Sequence, residues 1–339
     1  MTPPLVLAVD GGNSKTDVAL VRGDGEVLAL VRGPQSSPHH LGIEGCLHVL
    51  EDLLAAARRE AGLPTGDGPI PDVAQLLLAG VDFPTEEEEV HAAASERKLA
   101  TKIAVGNDTF AVLRSGTERG WGIAIVCGAG INCVGVAPDG KQARFPALGA
   151  ITGDWGGGYD VGLAGVFAAA RSEDGRGPRT SLERSVPEHF GCGTPSELAE
   201  AIHRGRVAMA RVTEAAPVVL SQAQADPVAR EILDRLAGEI VALTRVALER
   251  LELTHEPVEV LLGGGLIQAG NGLLVDAVEA ALAEVTTAAT VHATSAPPIV
   301  GAALLGLDHF GADAQAQERL RRGLADAFSR IDNERKNRG

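Results

Sequence analysis

Residues 9–17, VDGGNSKTD, set a glycine pair between two apolar strands, Leu5–Val9 and Val18–Val21. A reversal that tight needs glycine, because its backbone must reach positive φ without a Cβ clash. Once bent, the turn can aim backbone N–H groups, the Ser14 and Thr16 hydroxyls and the Lys15 ammonium at one anion. Asp10 ends the incoming strand, where a carboxylate can hold a hydrated Mg2+. The stretch reads as a phosphate-gripping hairpin or as an ordinary glycine turn, with equal force for each.

A second copy of the pattern changes that balance. Strands are expected at 5–9, 16–22, 26–32, 75–79 and 102–105, with a helix over 43–61 on the spacing of Ile43, Leu47, Leu50 and Leu54. Thr85 with Glu88 reads as a capping box, and Asp108 opens a short helix ending near Gly116. The order then restarts with strand 122–126, the turn Gly128-Ala129-Gly130, and strands 132–136 and 141–145. Helices follow, the longest over 226–253, then strand 258–262, three glycines, a helix, strand 290–294 and a helix from 298. Strand ends pair Val9-Asp10-Gly11-Gly12 with Val126-Cys127-Gly128-Ala129. Two β-β-β-α-β-α units in tandem predict an α/β fold of two similar domains, 1–117 and 118–312, facing an interdomain cleft. Ligand sites favour such clefts, so two glycine hairpins at equivalent positions favour the phosphate reading.

Composition narrows the partners. The 339 residues are 45% hydrophobic, enough for two cores, and the net charge of −15 excludes a nucleic-acid binder, which needs clustered Lys and Arg. Cys46, Cys127, Cys133 and Cys192 form no C-x-x-C pair and have no histidines at zinc spacing. No basic leader opens the chain and no apolar run approaches the roughly 20 residues of a membrane helix. A reduced cytoplasmic protein with no membrane partner is the expectation.

Read in order, DGGNSKTDVAL, GNDTFAVL, CGAGINCVGVAPDG, GDWGGGYDVG and GGGLIQAG resemble the motifs of the sugar kinase, heat-shock ATPase and actin superfamily. Within it the chain is similar to the N-acetylglucosamine kinase and BadF-type ATPase family, from residue 5 to about 308. The resemblance implies two actin-like (RNase H-like) ATPase domains that bind ATP and Mg2+ and take a small-molecule sugar. A homodimer is compatible with it. By the same resemblance Asp10 organises Mg2+ through water, and Gly11, Gly12, Asn13, Ser14, Lys15 and Thr16 line the triphosphate. Gly128, Ala129 and Gly130 form a second phosphate loop, in which alanine replaces the family's threonine. Gly263, Gly264 and Gly265 match the adenosine motif, and the terminal helix from about 313 to 335 packs back on the first domain.

Asp108 matches the family's catalytic base, which takes the proton of the attacking hydroxyl; as a plain helix N-cap it would need no such role. Asp154 matches a family aspartate that binds sugar hydroxyls, or serves as a plain cap or turn residue, and Asn132 matches a family asparagine past the second hairpin. Asn107 and Gly149 are further substrate-site candidates, and Trp155 can pack on a sugar ring or in a core. Two departures bear on the substrate. Pro38, followed by His39 and His40, occupies the stretch where N-acetylglucosamine kinases present an asparagine, and Ala147-Leu148-Gly149 replaces Gly-Trp-Gly. His39 and His40 can bond sugar hydroxyls but make a poor metal site without a Cys or carboxylate partner. The leading expectation is an ATP-dependent kinase of a hexose or amino sugar, N-acetylglucosamine or glucosamine first. The alternatives are an activator ATPase of a 2-hydroxyacyl-CoA dehydratase, which bridges an iron–sulfur cluster with cysteines, and a non-catalytic sugar-binding regulator.

Overall fold

Alternating side chains turn the first residues into a meander of β1 (Leu5–Gly11), β2 (Thr16–Arg22) and β3 (Val27–Gly33). In the computed structural model, which describes residues 3–64, 70–269 and 272–338 with the backbone alone from 332 onward, the chain divides into two units. One comprises residues 1–120 and 296–339, the other 121–295.

The first unit continues through α1 (Pro38–Glu60), β4 (Val73–Leu78), α2 (Pro84–Glu96), β5 (Lys102–Asn107) and α3 (Thr109–Gly116). Its sheet has the order β3-β2-β1-β4-β5, with β4 and β5 parallel to β1. Period-two alternation splits β1 between two cores. Leu7 and Val9 join Leu47, Leu50 and Leu54 of α1 on one face. Val6 and Ala8 face α11 (Pro298–Asp308) and α12 (Ala314–Arg338) on the other. Helix α11 lies almost touching α3: a Cβ at Gly301 would stand 1.9 Å from the Ala111 carbonyl oxygen.

The second unit runs through β6 (Gly122–Cys127), β7 (Ile131–Val136), β8 (Gln142–Arg144), α4 (Gly157–Glu173), α5 (Leu182–His189) and α6 (Pro195–His203). It continues with α7 (Ala216–Gln222), α8 (Pro227–Leu251), β9 (Val258–Gly263), α9 (Gly265–Ala269), α10 (Leu273–Ala283) and β10 (Ala289–Ala293). The strand order β8-β7-β6-β9-β10 repeats that of the first sheet strand for strand. The internal duplication is therefore real at the level of topology, and the second copy carries five helices, α4 to α8, between β8 and β9 where the first has α1 alone.

Four local expectations need correcting. Helix α1 starts at Pro38, not 43, since proline suits a first helical position, and it kinks at Gly42 (φ 68°, ψ 168°). Helix α2 starts at Pro84, and Glu86, not Glu88, reaches back to accept the Asp82 and Phe83 amides at 2.7 and 2.9 Å. The unit boundary falls after residue 295 rather than 312, because α11 packs on α3 and β1. Finally, Gly11 and Cys127 are the last paired residues before their turns, so the hairpins superpose one residue away from the expected alignment, Gly12 with Gly128. Among the described residues no helix is long and apolar enough to cross a membrane. Gly270, the last residue of GGGLIQAG, lies outside the described residues.

The α11–α3 approach gives a direct test of this packing. Gly301→Val is expected to cost about 3 kcal/mol, the upper range for overpacking a core, read as a lower urea midpoint.

Candidate active site

Sheet register puts a row of functional side chains across the first unit. Asp10 on β1 stands opposite Asp17 on β2, and Asp17 opposite Arg32 on β3. On its other side Asp10 neighbours Leu77 of β4, which neighbours Gly106 of β5. Residues paired across strands point to the same face. Asp10 and Asp17 thus form a like-charge pair, which is unfavourable unless something neutralises it. Arg32 does so for Asp17 with a forked pair at 2.6 and 2.8 Å, and Lys15 Nζ adds a longer contact at 3.4 Å.

Asp10 has no such partner among the described residues. Burial raises its pKa from 3.8 to about 8, helped by Asp108 and then Asp17, while Lys15 and Arg32 pull it down. A carboxylate held in that state gains most from a cation.

The hairpin beside it is built for close approach. A Cβ at Gly11 would lie 2.4 Å from Leu78 and 2.5 Å from Ser36 Oγ. The Gly12 amide bonds the Lys15 carbonyl at 2.9 Å, leaving Asn13, Ser14 and Lys15 exposed at the tip. Thr16 is turned the other way. Fully buried, its hydroxyl donates to Ser36 Oγ at 2.8 Å, so it ties the hairpin to the segment before α1 rather than facing a phosphate.

Asp108 lies at the carboxyl edge of the same sheet, just past β5, where open α/β sheets present ligands. It opens α3 without making a side-chain cap bond. Asn107 does that work instead: its Oδ1 accepts the Thr109 amide at 3.0 Å and the Thr109 hydroxyl at 2.5 Å. Its Nδ2 donates to Asp82 Oδ1 at 2.8 Å and to the Val81 carbonyl at 3.3 Å. Asn107 is 4% exposed, and these bonds engage both ends of its amide. Burial raises the Asp108 carboxyl from 3.8 to about 6, with Asp82 adding to the rise and its own and the Thr109 amide opposing it. Asp82 was missed in the sequence; the signal was its position four residues past β4, at the same sheet edge. Also missed was Ser37, whose buried hydroxyl has no hydrogen-bond partner among the described residues, beside Gly80 and His39. His39 and His40 are exposed on the first turn of α1, with ring centroids 5.3 Å apart.

The second unit carries the other glycine turn. The Gly128 amide closes it onto the Gly130 carbonyl at 3.0 Å. Amides of Gly158 and Tyr159, at the start of α4, hold the Gly128 and Ala129 carbonyls at 2.8 and 2.9 Å. A Cβ at Gly157 would strike Gly130 O at 2.3 Å, so glycine is required for that seating. By contrast, a Cβ at Gly128, Gly130 or Gly265 would meet nothing within 4 Å. Those glycines leave open space over a backbone turn. Gly263 ends β9, and Gly264 (φ 97°) would push a Cβ to 2.3 Å from Cys127 O. Asn132 Oδ1 accepts the Cys133 amide at 2.7 Å. Gly149 (φ 59°) starts a 3-10 turn that leads to Asp154, whose carboxylate accepts the Thr152 hydroxyl. Trp155 stacks one face under the Arg235 guanidinium, 3.9 Å from its centroid, and packs on the core of the second unit.

These donor sets suit some ligands and not others. Mg2+ keeps most of its water and takes one or two carboxylates plus phosphate oxygens, which fits the partnerless Asp10. An iron–sulfur cluster needs thiolates. Cys127 and Cys133 are buried in β6 and β7, and burial pushes Cys127 up to about 12 and Cys133 higher still. Neither can serve as a surface ligand.

The acidity of Asp10 has a consequence for stability. Between about pH 6 and 8 the folded chain keeps a proton on Asp10 that the unfolded chain has lost, so stability falls as pH rises. In metal-free buffer the wild-type melting temperature should decline across that window, and Asp10→Asn should flatten the decline. Parallel profiles for the two proteins would contradict the assignment.

The BadF/BadG/BcrA/BcrD ATPase family model matches residues 7–306. The N-acetylmuramic acid/N-acetylglucosamine kinase of Clostridium acetobutylicum is 28% identical over 271 residues, 79% of this chain and 87% of that protein. The N-acetyl-D-glucosamine kinase of Dictyostelium discoideum is 27% identical over 326 residues, 91% and 99% of the two chains. Among solved structures, one from Chromobacterium violaceum superposes with a TM-score of 0.69 at 26% identity, covering 90% of this chain and 99% of the other. A hexokinase from Thermus thermophilus shares the fold at a TM-score of 0.53 and 17% identity, covering 91% and 99%. With the match spanning both glycine hairpins, the Asp108 segment and the Gly263–Gly265 turn, the chain belongs to the BadF/BadG/BcrA/BcrD ATPase family.

Proposed function

We propose that this chain is an ATP-dependent carbohydrate kinase acting on a hexose or amino sugar, with N-acetylglucosamine or glucosamine as the first candidates. The observation that carries this reading is the state of Asp108. Asn107 takes over the capping of α3, so the Asp108 carboxylate is spared, and its pKa is raised toward the neutral range at the ligand-presenting edge of the sheet. The names of the curated relatives, both kinases of N-acetylated amino sugars, support the substrate class.

Phosphoryl transfer proceeds through a loose transition state, so the protein mainly positions groups and balances charge. In this reading Asp108 accepts the proton of the attacking sugar hydroxyl, which needs hydrogen-bond reach and a pKa near working pH. The Lys15 ammonium and the amides of Asn13, Ser14 and Lys15 hold phosphate oxygens. The Gly128–Gly130 turn offers further amides, and Gly263–Gly265 let a nucleoside approach the backbone. Mg2+, water-bound beside Asp10, would neutralise charge on the transferring phosphoryl group. His39, His40, Asp82, Asn132 and Asp154 are the side chains proposed to sort sugar hydroxyls. The acceptor is tested broadly because Pro38, followed by His39 and His40, stands in the stretch where N-acetylglucosamine kinases present an asparagine.

A coupled ADP-release screen over glucose, glucosamine, N-acetylglucosamine, N-acetylmuramic acid and N-acetylmannosamine tests the activity. At least one of the five should give sugar-dependent ADP release. Asp108→Asn should lower kcat by roughly 10²-fold or more, the scale of a lost general base, while Mg·ATP still binds. The wild-type rate should fall on acidification below about pH 6 as Asp108 takes up its proton. Near-normal turnover by the asparagine variant removes Asp108 from that role.

A further inference from the structure

The row across the first sheet contains a second charged pair that the proposed reaction does not use. Asp17 is 1% exposed and accepts from Arg32 through both of its oxygens. Arg32 is itself held from the far side, since the Phe328 ring of α12 lies 5.5 Å from the guanidinium carbon. A planar fork seated against an aromatic face has little freedom left. Lys15 reaches the same carboxylate at a looser 3.4 Å, with half of its side chain exposed. One buried carboxylate thus has two cations, of which one is bound tightly and the other weakly.

We infer that Arg32 is a positioning residue for Lys15: by saturating Asp17, it keeps the Lys15 ammonium available to a nucleotide phosphate at the hairpin tip. This rests on the nucleotide reading given above. A buried carboxylate deprived of its partner captures whatever cation is in reach. Without Arg32, Asp17 draws Lys15 inward, and the hairpin loses its one charged donor. The Phe328 contact extends the arrangement to α12, which places the C-terminal helix behind the phosphate-binding turn although it touches no ligand.

The arrangement is testable as a coupling between two side chains that do not touch each other. Binding of Mg·ATP is measured by calorimetry, with no sugar present, for wild type, Arg32→Met, Lys15→Met and the double variant. Arg32→Met should weaken binding about tenfold, the scale of one charge-assisted hydrogen bond. In the Lys15→Met background the same change should weaken binding less than about twofold, because the lysine it acts through is gone. Asp17→Asn added to Arg32→Met should return most of the lost affinity by releasing Lys15. Thermal melts of every variant accompany the titrations; if Arg32→Met does not fold, the Asp17→Asn/Arg32→Met protein, compared with and without Lys15, carries the test. Equal losses in both lysine backgrounds, or no recovery on adding Asp17→Asn, overturn the inference. A wild-type chain that binds no Mg·ATP overturns the nucleotide reading itself, which is a different result.

Discussion

Two carboxylates, Asp10 and Asp17, face each other across an antiparallel strand pair, and most of the site follows from how that repulsion is handled. A neutral pair would have been easier to fold. Arg32 quenches one member and leaves the other without a partner among the described residues, its pKa raised by burial, then by Asp108 and by Asp17 itself. The fold therefore carries an unfavourable interaction, which in the proposed reading a divalent cation relieves. That is the expected form of a binding site whose ligand contributes to stability, and it explains why Asp10 is poorly served by the chain alone.

Glycine occupies three kinds of position here. At Gly301 it lets two helices cross at backbone distance. At Gly11 and Gly157 it seats the two turns against neighbouring backbone or side chains. At Gly128, Gly130 and Gly265 a side chain would meet nothing within 4 Å, as at exposed turns such as Gly140 and Gly175. Open space alone does not mark a ligand, and the nucleotide role of those three belongs to the proposed reading.

The strands, the repeat and the two hairpins were legible because apolar alternation and glycine placement are local signals. The repeated strand order is their direct outcome. What escaped the sequence depends on contacts far apart in the chain. Asn107 as the helix cap, with Asp108 spared, could not be read from adjacent residues that can both cap. Thr16 turned inward because Ser36, twenty residues on, accepts its hydroxyl. Helix α11 joined the first unit because Gly301 meets Ala111, a contact between residues 190 positions apart that leaves no periodic trace. Helix α12 is polar by composition, and only the family resemblance placed it back on the first domain, where Leu320, Leu324 and Ala327 are buried against the first sheet.

The central claim is that the solitary Asp10 carboxylate is kept for a metal-bound nucleotide. It is tested most directly by titrating ATP into wild type and Asp10→Asn by calorimetry, with and without Mg2+. Mg2+ is expected to tighten binding to wild type by about tenfold or more, the scale of one charged contact, and to leave Asp10→Asn almost unchanged. An equal gain from Mg2+ in both proteins would contradict it.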